Sequence, residues 1–104
     1  MILYNVTVSI DAGVQEEWLT WMRTIHIPNV METGCFIEAR ISRVHGEEDG
    51  GMSFAISYVA PSQESYNLYQ EKYASKLQLE HSVKYSGKFA AFRTLLTILE
   101  EFKK

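Results

Sequence analysis

Cysteine is nearly missing from these 104 residues: Cys35 stands alone. One thiol cannot close an intrachain disulfide, and no CxxC or Cys/His spacing points to zinc, so no metal is expected. Cys35 follows Gly34 and precedes an apolar stretch, the setting of a buried, inert thiol. A nucleophilic role would require a base beside it, and His26 is the candidate in that stretch. Positive charge is also scarce. Ten Lys and Arg against thirteen Asp and Glu leave a net charge of −3. No basic patch exists to meet a phosphate backbone, which argues against nucleic acid as a partner. No run approaches the ~20 apolar residues of a membrane span. The N-terminus, ILYNVTVSID, alternates apolar with polar residues and lacks the basic start and continuous apolar run of a signal peptide. A soluble, cytoplasmic protein is expected, with no membrane partner. There is no internal repeat, linker or low-complexity segment, and the length suits a single domain over residues 1–104.

What is present is alternation. Ile2, Tyr4, Val6, Val8 and Ile10 point one way, while Leu3, Asn5, Thr7 and Ser9 point the other, as in a half-buried strand. Asp11 caps the turn into a helix. Residues 36–45 form a second strand, with Ile37, Ala39 and Ile41 on its apolar face and Glu38, Arg40 and Ser42 opposite. Residues 46–51, GEEDGG, read as a hairpin turn rather than a calcium loop, whose oxygen-ligand spacing they lack. A third strand covers 52–60. Pro61 ends it, and Ser62 caps a helix carrying Tyr66, Tyr69, Tyr73 and Leu77 on one stripe. Residues 78–88 are weakly patterned, a short helix or loop closing on Gly87. The last strand, 89–99, is expected to turn Arg93 and Thr97 to one face with Ala91 and Leu95, and Phe92, Leu96 and Ile98 to the other. The order is β-α-β-β-α-β, that of an α+β ferredoxin-like plait. Its four-stranded antiparallel sheet would run in the order 4-1-3-2, with both helices on one face.

The segment Trp18 to Phe36, WLTWMRTIHIPNVMETGCF, is the most specific stretch. Val14, Trp18, Trp21, Met22 and Ile25 fall within a stripe about 100° wide, which predicts an amphipathic helix. Pro28 disfavours helical backbone at Ile27, so a kink is expected at His26–Ile27–Pro28. Gly34 stops the turn that follows. A histidine at a helix C-terminus meets partly negative carbonyls that favour its protonated form.

Two helices cover only one side of a four-stranded sheet. The bare side is expected to carry Asn5, Thr7, Glu38, Arg40, Ser57 and Arg93, a mixture suited to two sheets packed face to face around a half-polar cavity. Glu38 and Arg40 read either as a structural ion pair or, through Arg40 or Arg93, as an anion site.

The run W-x-x-W-M, then H-I-P-x-V and T-G-C-F, then K-F-x-A-F-R-T near the end, resembles a bacterial family known as domain of unknown function 4286. The likeness covers nearly the whole chain, through Trp18, Trp21, Met22, His26, Ile27, Pro28, Val30, Thr33, Gly34 and Phe36, and later Phe89, Phe92, Arg93 and Thr94. It implies a ferredoxin-like fold of the dimeric α/β-barrel kind. That fold group includes cofactor-free quinone-forming monooxygenases and haem-degrading enzymes, but a fold does not transfer an activity. The leading expectation is therefore a homodimer that binds a small anionic or aromatic ligand between its sheets, without a cofactor. The alternative is a cofactor-free monooxygenase or isomerase, with His26 as base and Arg93 or Asn5 as oxyanion partner. It requires Arg93 to face the same pocket as His26. Further alternatives are haem ligation by His26, His45 or His81 and a pocketless interaction module built on the tyrosine stripe.

Overall fold

The computed structural model describes residues 1–46 and 51–104. Most of the expected 46–51 turn lies outside the described residues. Strand β1 (Ile2–Asp11) pairs antiparallel with β3 (Gly51–Ala60) and with β4 (Phe89–Thr97), and β2 (Glu38–Arg43) pairs with β3. The sheet order is β2-β3-β1-β4, the expected one. Along the central strands the alternation holds: Tyr4, Val8, Ile10, Phe54, Ile56 and Tyr58 are buried under the helices. The helical layer consists of α1 (Gln15–Trp21), a π-helical turn at Met22–His26, α2 (Ile27–Glu32), α3 (Gln63–Lys72) and α4 (Ala74–Lys84).

The local signals act as their chemistry requires at three points. Asp11 accepts a hydrogen bond from the Gly13 amide and opens the turn into α1. Ser62 accepts from the Ser65 amide and caps α3. Gly34, at φ 76°, ends α2 in the left-handed conformation that glycine adopts without a Cβ penalty.

At Pro28 the structure departs from expectation. The backbone does not break: Ile27 keeps helical angles, φ −61° and ψ −45°. Its amide donates to the carbonyl of Met22, five residues back, rather than to that of Arg23. A proline in regular helix collides with the carbonyl four residues behind it. The wider π turn absorbs that conflict and lets α1 run on into α2. The extra residue also rotates the stripe. Ile25, expected inward, is 48% exposed, and His26 turns toward the core in its place.

Residues 78–84 take the helical one of the two expected forms, as part of α4, with Ala74, Leu77 and His81 buried on one side. One other expectation changes. The tyrosine stripe belongs to the core: Tyr69 is buried, and Tyr66 and Tyr69 lie against Tyr4 at ring-centroid distances of 5.4 and 6.1 Å.

Candidate functional site

Register decides which side chains meet. Arg93 stands opposite Val6 on β1, so it shares the face of Tyr4, Val6 and Val8, under the helices. This corrects its expected place on the bare face beside Asn5 and Thr7. Those two stand opposite Thr94 and Phe92. In FAAFRTLLT, Phe92 and Leu96 face away from the helices, while Phe89, Ala91, Arg93 and Leu95 face them, so bulky apolar residues stand on both faces. Size and hydrophobicity therefore do not tell which face the helices cover.

Between sheet and helices lies a cavity of about 50 Å³, room for a few waters or for one end of a planar group. Its apolar part comes from Val8, Met22 and Ile56, with Tyr4, Tyr58, Tyr69 and Phe89 as aromatic wall. Its polar part comes from His26, Gln78, His81, Ser82 and Arg93. Arg93 and Ser82 are exposed, which places the mouth between α4 and β4.

Each polar group is held by identifiable neighbours. Arg93 donates from Nε to the hydroxyl of Tyr4 at 3.0 Å. Neither ion pair among the described residues involves its guanidinium. His81 accepts a hydrogen bond at Nε2 from Nε1 of the fully buried Trp18, at 2.9 Å. Its ring meets Phe89 edge-on, 4.5 Å between centroids. His26 stacks on Trp21 at 5.0 Å and lies 5.8 Å from the His81 ring. Its Nδ1 is buried without a hydrogen-bond partner. Burial, reinforced by His81, lowers the His26 pKa to about 4; burial and the nearby Arg93 charge do the same for His81. Both rings are neutral at pH 7. The expectation of a protonated His26 fails because the residue sits inside a continuous helix and faces the core, so desolvation replaces the helix-end carbonyls as the dominant influence. The same dry surroundings push the hydroxyls of Tyr58 and Tyr69 above their ordinary range.

The remaining expected site residues lie on the bare face and partner one another. Asn5 donates to Thr7 at 3.0 Å and accepts from Ser57 at 2.9 Å. Glu38 and Arg40 form an exposed ion pair at 2.9 Å, the structural alternative for that pair. Arg40 and Ser57 also border an open depression beside Leu3 and the chain after β4, which contributes Ile98, Glu101 and Lys103. The structure thus brings His26 and Arg93 together and separates both from Asn5, Thr7, Glu38, Arg40 and Ser57. Sequence reasoning gave no catalytic part to His81. Its signal was a helical repeat in residues 74–84, where Ala74, Leu77 and His81 recur at the spacing of one face.

His45 is exposed at the end of β2. The cavity bordered by His26 and His81 is far smaller than a porphyrin, so its walls do not fit haem. No group of three or more potential metal ligands occurs among the described residues, and no helix among them is long and apolar enough to cross a membrane.

A four-stranded antiparallel sheet carrying its helices on one face, with a cavity between the layers, defines an α+β protein of the ferredoxin-like class. Residues 1–99 match the family described as Domain of unknown function (DUF4286), and the chain belongs to that family. Among solved structures it is similar to a dimeric ferredoxin-like protein from an uncultured marine organism, with 16% identity, all of both chains covered and a TM-score of 0.73. It is also similar to SnoaB, a cofactor-independent oxygenase from Streptomyces nogalater, with 11% identity, 99% of this chain and 98% of that one covered, and a TM-score of 0.67. A third similar structure is HapK from Hahella chejuensis, with 6% identity, coverage of 100% and 98%, and a TM-score of 0.70. No curated protein matches the chain.

Proposed function

We propose that the chain is an enzyme that takes one end of a small planar, oxygen-bearing molecule into the helix–sheet cavity and removes a proton from it, His26 accepting the proton and Arg93 stabilising the oxyanion. One observation carries this reading: a neutral histidine and a guanidinium outside both ion pairs of the described residues border the same aromatic-walled cavity. Aromatic faces suit a planar body. A neutral imidazole is the basic form, and the low dielectric that keeps it neutral also strengthens the pull of Arg93 on a developing enolate. The enolate then either regains a proton at another carbon, an isomerisation, or reacts with dioxygen. In the second course a CH2 group and O2 give a carbonyl and water, and no bound cofactor is required. The likeness to a cofactor-independent oxygenase supports the second course.

The protein is proposed to act as a cytoplasmic homodimer through its bare sheet face, where Phe92 is 63% and Leu96 44% exposed. A ligand site between the paired sheets, at Arg40 and Ser57, is a second reading, supported by the open depression there.

Anthrone, a planar ketone with an activated CH2, tests the reaction. Oxygen uptake above the background rate is expected with the wild type, falling at least about 100-fold in His26→Ala. If a panel of such enolisable ketones shows neither oxygen uptake nor proton exchange beyond that of the double variant His26→Ala/Arg93→Ala, the catalytic reading fails.

A further inference from the structure

The nitrogen atoms of His81 are not equivalent. An indole N–H can only donate, so the 2.9 Å bond from Trp18 requires Nε2 of His81 to be an acceptor. In a neutral ring the proton then resides on Nδ1. No acceptor among the described residues meets that N–H, and unlike Nδ1 of His26 it is not sealed from solvent. The open space that His81 borders is the cavity. Trp18 is fully buried against Phe54, with ring centroids 5.2 Å apart. Phe89 meets the His81 ring edge-on. Both packings hold the imidazole in place, so the direction of that N–H is fixed before any ligand arrives.

We propose that His81 is a fixed hydrogen-bond donor of this cavity, directed by Trp18 toward an anionic oxygen of the ligand that Arg93 also contacts. The ligand class narrows accordingly. It presents an oxygen acceptor able to take two N–H groups from one side, as an enolate, phenolate or carboxylate does, on a flat apolar body. An ammonium group would leave these donors unanswered, at the cost of buried polar groups without partners. His81 touches the ligand, and Trp18 is a positioning residue that acts through it. The inference rests on the proposed cavity site, and the measurements below separate the two.

The first measurement involves no ligand. Nitrogen-15 NMR of the full chain at pH 7 is expected to show His81 protonated at Nδ1 and not at Nε2. In Trp18→Phe, which keeps an aromatic ring in the core, the two tautomers should both be populated. An Nε2-protonated His81 in the wild type overturns the proposal. The second measurement titrates the protein with 2-hydroxy-1,4-naphthoquinone, a planar enolate whose visible band reports binding. His81→Ala is expected to weaken binding about 10-fold or more, as loss of a hydrogen bond to a charged oxygen does. Trp18→Phe should weaken it by a smaller factor, and 1,4-naphthoquinone, which lacks the enolate oxygen, should bind both proteins alike. If Arg93→Ala weakens the enolate and His81→Ala does not, the role of His81 is wrong while the cavity site stands. If neither variant changes its binding, the cavity reading falls and takes this inference with it. Circular dichroism of each variant establishes that it is folded.

Discussion

His26 and His81 lie beneath helices that exclude water, and each is held near pKa 4 against an ordinary 6.5. The consequence for stability has a definite sign. Between pH 6.5 and 4 the unfolded chain takes up protons on these rings while the folded one does not, so falling pH favours unfolding. At His26 the loss is on the order of 2 kcal/mol, reduced from the full shift by partial solvation. Thermal melts should show the midpoint falling over that window, and falling less in His26→Gln. Equal pH dependence in the two proteins would remove His26 as its source. If His26 is the base, the acid limb of kcat/KM should bend near pH 4, an unusually low value for a histidine. A limb near 6.5 would mean that the base is solvated. Arg93→Ala removes a single hydrogen bond to Tyr4, worth about 1 kcal/mol, so it should lower the melting temperature by about 4–8 °C and leave the chain folded while abolishing binding of the enolate probe. At this scale the sequence offered His26 and Arg93 as candidates for the proposed chemistry, but expected Arg93 on the bare face of the sheet. Nothing local marks whether an arginine in FAAFRTLLT faces a helix or a neighbouring molecule. Strand register supplies that, and register is set by pairing with β1.

The π turn at Met22–His26 shows an element departing from its own periodicity. An α-helical stripe puts Ile25 inward. One added residue per turn puts His26 there, and Pro28 continues the helix because the turn before it has been widened. The proline rule reads this stretch as a kink. The alternative became favourable only once Trp18, Met22 and Val30 could all be buried on one face of the continuous helix. Gly34, in contrast, was legible, since the left-handed geometry it adopts is a property of glycine itself. A Cβ at Gly34 would meet nothing within 4 Å, so Gly34→Ala isolates the backbone penalty. The expected cost is about 1 kcal/mol, a drop of about 4–8 °C in a chain of this length. An unchanged melting temperature would show that φ at this position is not positive in solution.

At the scale of the molecule, the bare sheet face combines an internally bonded ladder, Asn5, Thr7 and Ser57, with exposed Phe92 and Leu96. Beyond β4, Leu99 is 92% and Phe102 84% exposed. Apolar groups this open are normally covered in a stable assembly. A symmetric dimer should bury more than about 1,000 Å² there. Phe92→Glu with Leu96→Glu should convert the dimer to a monomer in sedimentation velocity while circular dichroism stays the same. A wild type that sediments as a monomer at micromolar concentration would sink this arrangement.

Sequence alone determined the strand–helix order, the sheet order and the family. Each follows from local alternation, caps and motifs, which are properties of neighbours along the chain. The tertiary structure decided where the cavity lies and which residues share it. Arg93 and His26 are separated by most of the chain, and only the pairing of β4 with β1 and the extra residue in the π turn bring them to the same space.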